Sequence, residues 1–192
     1  MNFYIVIPAH NEEAYLSQTL QSLTEQTLLP KKIVVVNDNS TDGTQETIDS
    51  FTSRYPYITS VLSYSEGGHV PGSKVIHAFY RGFETLDHEF DVICKFDADL
   101  IFPKDYLQKI SEIFLRNKNC GIAGGFCFIE KNGDWVLENL TNKDHIRGAL
   151  KAYRNECFLA IDGLKKTMGW DTVDELLANY HGWEVCTHHR YR

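Results

Sequence analysis

The chain has 192 residues, 43% hydrophobic and 23% charged, the make-up of a soluble globular protein long enough to bury a core in one domain. Its 19 basic and 26 acidic residues leave a net charge of −7, which argues against a general nucleic-acid binder, because such a protein needs a basic face to displace counterions. A small phosphorylated ligand stays possible on this acidic chain, since one bound cation reverses the field locally.

Taken in chain order, residues 3–7 read as a buried strand, and residues 12–26 as a helix with Leu16, Leu20 and Leu23 on one face. A β-branched strand follows at 32–36. A helix is expected at 43–51, entered through the capping types Ser40, Thr41 and Asp42. A third strand is expected over Ile58–Ser63, a Gly/Pro loop at 67–72, a helix to about Leu86, and a fourth strand at Val92–Phe96. Pro103 suits the start of a helix that runs to about Arg116. Beyond it, residues 121–130 read as one strand and Asn132-Gly133 as a hairpin turn, with 135–140 returning antiparallel. Short helices near 153–161 and 172–180 and a strand at 183–187 complete the chain. Alternating strands and helices imply an α/β fold with a mostly parallel sheet flanked by helices, a mixed second half, and one domain over 1–192. In such sheets, ligands bind beyond the carboxyl ends of the strands, so function belongs in the loops after strands one, two and four.

The first of these loops is Pro8-Ala9-His10-Asn11-Glu12-Glu13. It lacks G-x-G-x-x-G, which counts against a dinucleotide site, and Asn11 also suits a plain helix cap. The second is Asn37-Asp38-Asn39-Ser40-Thr41-Asp42-Gly43-Thr44, more small polar residues than one helix start requires. A carboxylate there can accept from a base imide or a ribose hydroxyl. The third is Asp97-Ala98-Asp99, two carboxylates that face the same side at the end of an apolar strand. That pair is either a solvated turn or a site for a divalent cation, which relieves the repulsion and shares its shell with phosphate oxygens.

In order and spacing, the three loops resemble the family 2 glycosyltransferases of GT-A fold. The resemblance covers essentially the whole chain and implies an inverting transferase that moves a sugar from a nucleotide-sugar to an acceptor hydroxyl. It implies donor-binding roles for Pro8, Ala9, His10, Asn11, Glu12, Asp38, Lys74, Asp97 and Ala98. Pro8 and His10 would flank the base, Asp38 would contact it, and Lys74, in Gly72-Ser73-Lys74, would stand beside the diphosphate. Mg²⁺ or Mn²⁺ would rest on Asp99, with Asp97 on metal or ribose and His188 completing the shell, although His188-His189 is equally an exposed pair. The family's Glu-Asp pair maps near Gly169-Trp170-Asp171-Thr172-Val173-Asp174-Glu175, so Asp174 is the expected general base and Glu175 the reserve; Asp171 reads as a helix cap.

Residues 1–100 would then bind the nucleotide-sugar, and 101–192 a carbohydrate, lipid-linked or other hydroxyl acceptor, in a second half shorter than the family's usual one. UDP is the leading nucleotide by family frequency, and GDP suits Asp38 nearly as well. A nucleotide-sugar-binding module without catalysis and a sugar-phosphate nucleotidyltransferase are the alternatives.

The N-terminal residues lack a basic leader region, and no run approaches the roughly 18 apolar residues that span a bilayer. The five cysteines are scattered, with no C-x-x-C. Both features point to a reducing, cytoplasmic setting with at most peripheral membrane contact.

Overall fold

The computed structural model describes residues 1–64, 73–138 and 145–187. Seven strands form one sheet in the order β3-β2-β1-β4-β8-β5-β9. These are β1 (Phe3–Ala9), β2 (Lys32–Asp38), β3 (Ile58–Ser63), β4 (Val92–Phe96), β5 (Cys120–Gly124), β8 (Leu150–Arg154) and β9 (Glu184–Thr187). β6 (Phe128–Lys131) and β7 (Asp134–Leu137) form a separate ribbon. The helices are α1 (Leu16–Thr24), α2 (Thr44–Thr52), α3 (Ser73–Phe83), α4 (Tyr106–Arg116), α5 (Asn155–Ala160) and α6 (Trp170–Tyr180).

β1, β2 and β4 are near-continuous apolar runs because helices cover both faces of the sheet there. Phe3, Ile5, Ile7, Val34, Val36 and Ile93 are among the side chains withdrawn from solvent. From β1 the chain winds outward through β2 to β3, then crosses back to place β4 on the other side of β1. The order therefore reverses between β1 and β4. Their pairing runs only from Phe3↔Val92 to Val6↔Lys95, whereas β1 stays paired with β2 through Ala9↔Asn37. Beyond Val6 the two central strands part, and a crevice opens at their carboxyl ends.

Several expectations are corrected. α1 begins at Leu16 rather than at residue 12, because Asn11 is left-handed (φ 56°) and the Glu12 and Glu13 amides bond to the α2 entry instead. The single strand expected over 121–130 is two strands: β5 stays in the main sheet, and β6 leaves it for the ribbon. The Asn132-Gly133 turn is as expected, with φ of 57° and 86°, the positive pair that a tight hairpin needs. β8 is a strand absent from the sequence reading. It runs antiparallel between β4 and β5, and all five of its residues are buried, Lys151 and Arg154 included. The 67–72 loop lies outside the described residues. Among the described residues, no helix is long and apolar enough to cross a membrane.

Candidate active site

The three loops meet over the crevice in a cavity of about 370 Å³. Pro8, Ala9, His10, Glu12, Asp38, Lys74, Asp97, Ala98 and Asp99 all line it. Asn39, Val75 and Ala78, which the sequence did not single out, line it too. Asn11 does not. Its left-handed backbone, tolerable for asparagine, turns it toward the second loop, where its Oδ1 accepts from the Thr41 amide at 2.8 Å and its own amide donates to Ser40 Oγ at 3.0 Å. Glu13 accepts from the Gly43 amide at 3.1 Å, and a Cβ at Gly43 would lie 2.7 Å from Glu13 Oε1, so glycine permits this approach. These bonds lace the first two loops into one wall.

His10 Nδ1 stands 2.6 Å from the Asp38 carbonyl. A carbonyl only accepts, so Nδ1 carries the proton and Nε2 is left as an acceptor. The bond ties the His10 ring to the backbone of the expected base-contacting residue.

The third loop is held from both sides. Thr19 Oγ1 on α1 donates to the Ala98 carbonyl at 2.7 Å, and the Asp97 amide donates to the Ala149 carbonyl at 2.8 Å. Lys95, two residues before Asp97 on the same strand face, is buried and ion-paired to Asp97 Oδ1. Its Nζ also lies 5.2 Å from the Trp170 ring centroid. A lysine inside an otherwise apolar strand was the signal for it. Asp97 thus has one oxygen occupied, and Asp99 is the freer carboxylate. Burial, with Asp97 beside it, pushes the Asp99 carboxyl up. Burial also raises Glu12, followed by the charges of Asp99, Asp97 and Asp42. Three carboxylates therefore line one cavity, and oxygen donors are the kind that a hard divalent cation takes. Among the described residues, no group of three His, Cys, Asp or Glu is placed to hold a metal ion. His188 lies outside the described residues.

In the second half, Gly169 at φ 69° starts α6 in place of the expected Asp171 cap, and leaves Asp171 in the first turn. The expectation of Asp174 as base does not fit its surroundings. Asp174 is 1% exposed; Lys151 Nζ donates to its Oδ1 at 2.7 Å, and the Tyr153 hydroxyl donates to its Oδ2. Burial pushes its carboxyl up to about 6, against the opposing pull of Lys151. Both oxygens are engaged in the core, where an acceptor hydroxyl has no access. Glu175 is no better placed: its Oε1 takes the Ile146 amide at 3.0 Å and Lys151 at 2.9 Å, and its Oε2 faces His145 Nδ1 at 2.9 Å.

Asp171, which the sequence offered only as a helix cap, has different surroundings. Its side chain is 30% exposed, with His145 Nε2 3.5 Å from Oδ2. A Cβ at Gly148 would lie 3.0 Å from the Asp171 Cβ, and the next residue, Ala149, takes the Asp97 amide. Trp170, its other neighbour, meets Lys95. Asp171 therefore stands beside the Asp97 loop.

Residues 4–164 match the family described as Glycosyl transferase family 2. The chain belongs to the glycosyl transferase family 2. It is 37% identical over 98 residues to a probable glycosyltransferase, YdaM, of Bacillus subtilis, covering 50% of this chain and 22% of that protein. It is 26% identical over 180 residues to the uncharacterized glycosyltransferase MG025 of Mycoplasma genitalium, covering 86% and 57%. It thus spans about a fifth of the first relative and little more than half of the second. Among solved structures, S. aureus TarS 1-349 in complex with UDP superposes over 100% of this chain and 59% of its own (TM-score 0.75, 17% identity). The mannosyltransferase PcManGT of Pyrobaculum calidifontis, in complex with GDP-Man and Mn²⁺, superposes over 97% and 54% (TM-score 0.74, 19% identity). This family 2 chain has the GT-A fold that the resemblance implied.

Proposed function

We propose that this family 2 chain transfers a sugar from a nucleotide-sugar to an acceptor hydroxyl, inverting the anomeric centre, with Mg²⁺ or Mn²⁺ at Asp99. The observation that carries the reading is the convergence of Asp38, Lys74, Glu12, Asp97 and Asp99 on one cavity where the strand order reverses. Structural neighbours holding UDP, or GDP-Man with Mn²⁺, support a nucleotide donor and a divalent ion, and leave uridine and guanosine both open.

Pro8 and His10 bracket the base, and Asp38 accepts from it. Lys74 places its charge beside the diphosphate. Asp99 would hold the cation, with Glu12 a further carboxylate lining the same cavity and Asp97, one oxygen already paired with Lys95, on metal or ribose. Bound there, the ion supplies charge neutralisation for the leaving diphosphate. Asp171 takes the proton from the acceptor hydroxyl. The acceptor oxygen forms its bond to the anomeric carbon, and the bond to the diphosphate oxygen breaks with its electron pair. One displacement inverts the centre.

Calorimetry with UDP and GDP, each with and without Mn²⁺, tests the site. Asp99→Asn is expected to weaken Mn²⁺-dependent binding by at least roughly tenfold. Nucleotide binding that ignores both the ion and this substitution would overturn the assignment. Asp171→Asn is expected to keep donor binding and to slow turnover of a donor panel (UDP-glucose, UDP-GlcNAc, GDP-mannose) by at least roughly a hundredfold. Wild-type turnover would remove Asp171 as the base.

A further inference from the structure

His145 lies between two carboxylates of α6, with Nδ1 2.9 Å from Glu175 Oε2 and Nε2 3.5 Å from Asp171 Oδ2. The groups around it come from two elements and from the segment that precedes β8. α6 supplies Asp171, Asp174 and Glu175. β8 supplies Lys151 and Tyr153, and the Ile146 amide closes the far side of Glu175.

Glu175 accepts on its Oε1 from Lys151 and from Ile146, which holds it as a carboxylate. Its Oε2 can then only accept, so the His145 proton sits on Nδ1. The other contact has a different character. A proton between Nε2 and a carboxylate would draw the atoms to about 2.7–2.9 Å. A gap of 3.5 Å suits two lone pairs facing each other with no proton between them. Such a pair lacks a hydrogen bond at rest and gains one when Asp171 becomes protonated. An interaction made only as the proton arrives accelerates the step rather than merely tightening binding.

We propose that His145 is a positioning residue for Asp171: Glu175 fixes its tautomer through Nδ1, and its bare Nε2 accepts a hydrogen bond from Asp171 once Asp171 has taken the acceptor's proton. The acceptor O–H bond breaks, the proton passes to Asp171 Oδ2, and Nε2 shares it. The inference rests on the reading of Asp171 as base.

Two measurements test it. Nitrogen-15 NMR of the His145 ring in the intact chain needs no substrate. Nδ1 is expected to carry the proton and Nε2 to be bare at high pH. A proton on Nε2 instead overturns the proposal.

In turnover of the same donor panel, His145→Asn keeps a donor for Glu175 but offers nothing to Asp171. Its kcat is expected to fall by roughly ten- to a hundredfold, with donor KM held within about twofold. Added imidazole is expected to restore part of the loss in His145→Ala, which a purely structural role would not allow. A His145→Asn enzyme at wild-type kcat, with Asp171→Asn inactive, overturns this inference alone. A fully active Asp171→Asn overturns the base reading beneath it.

Discussion

Asp171 and Asp174 stand one helical turn apart on α6 and have opposite surroundings. Asp171 is part-exposed beside the Asp97 loop; Asp174 is sealed with Lys151 and Tyr153. The fold raises the Asp174 carboxyl from 3.8 to about 6, so the folded state holds its proton more readily than the unfolded chain. Its contribution to stability is full below 3.8 and is lost as the pH rises through about 6. Two units correspond to about 3 kcal/mol. Asp174→Asn lacks this titration. Relative to wild type, it is therefore expected to gain up to about 3 kcal/mol between about pH 4 and about pH 7 in urea denaturation. A constant difference across that range would contradict the assignment. Asp174 could have been read as buried, since Trp170, Asp174 and Ala178 recur every four residues as the buried face of α6. By contrast, the place of Asp38 and Asp99 on the cavity wall was legible, because Asp38 ends a buried strand and Asp99 lies in the short loop after another. His145 was not legible, because the contact that orients it spans thirty residues.

At the scale of elements, α3 packs so closely on the sheet that Gly82 has no room for a side chain. A Cβ there would lie 2.6 Å from Val36 Cγ2 and 2.8 Å from Val6 Cγ1. Valine has little rotamer freedom to yield, so the helix itself must lift. Gly82→Ala is expected to lose about 1–3 kcal/mol in chemical denaturation. The same helix carries Lys74, Val75 and Ala78 to the cavity, so UDP affinity should fall with stability. Unchanged affinity in a destabilised variant would separate α3 from the site. The first-half elements were legible because their strands are buried on both faces and carry uniform apolar runs. β8 was hidden by Lys151 and Arg154, whose charges are satisfied by groups far away in sequence: Asp174 and Glu175 for the lysine, and the Phe114, Asn117 and Cys120 carbonyls for the arginine. Strand periodicity sees neither partner.

For the whole molecule, the insertion of β8 between β4 and β5 decides how the two halves cohere. The half that holds the three cavity loops ends at β4, and its open edge is paired only by a strand from the second half. The Asp97 amide bonds to Ala149, and Lys95 meets Trp170, so the Asp97–Asp99 loop itself is bounded by the later chain. One cooperative unit is expected. All three tryptophans, Trp135, Trp170 and Trp183, lie in the second half, so their fluorescence reports that half alone, while far-UV circular dichroism reports both. The two signals are expected to give coincident urea transitions. UDP with Mn²⁺, held mainly by first-half loops, is expected to raise the fluorescence midpoint as much as the dichroism midpoint, through mass action on the shared folded state. A fluorescence transition that separates from the dichroism, or that ignores the nucleotide, would mean that the acceptor side unfolds on its own and that Asp171 is not held to the donor site by the sheet.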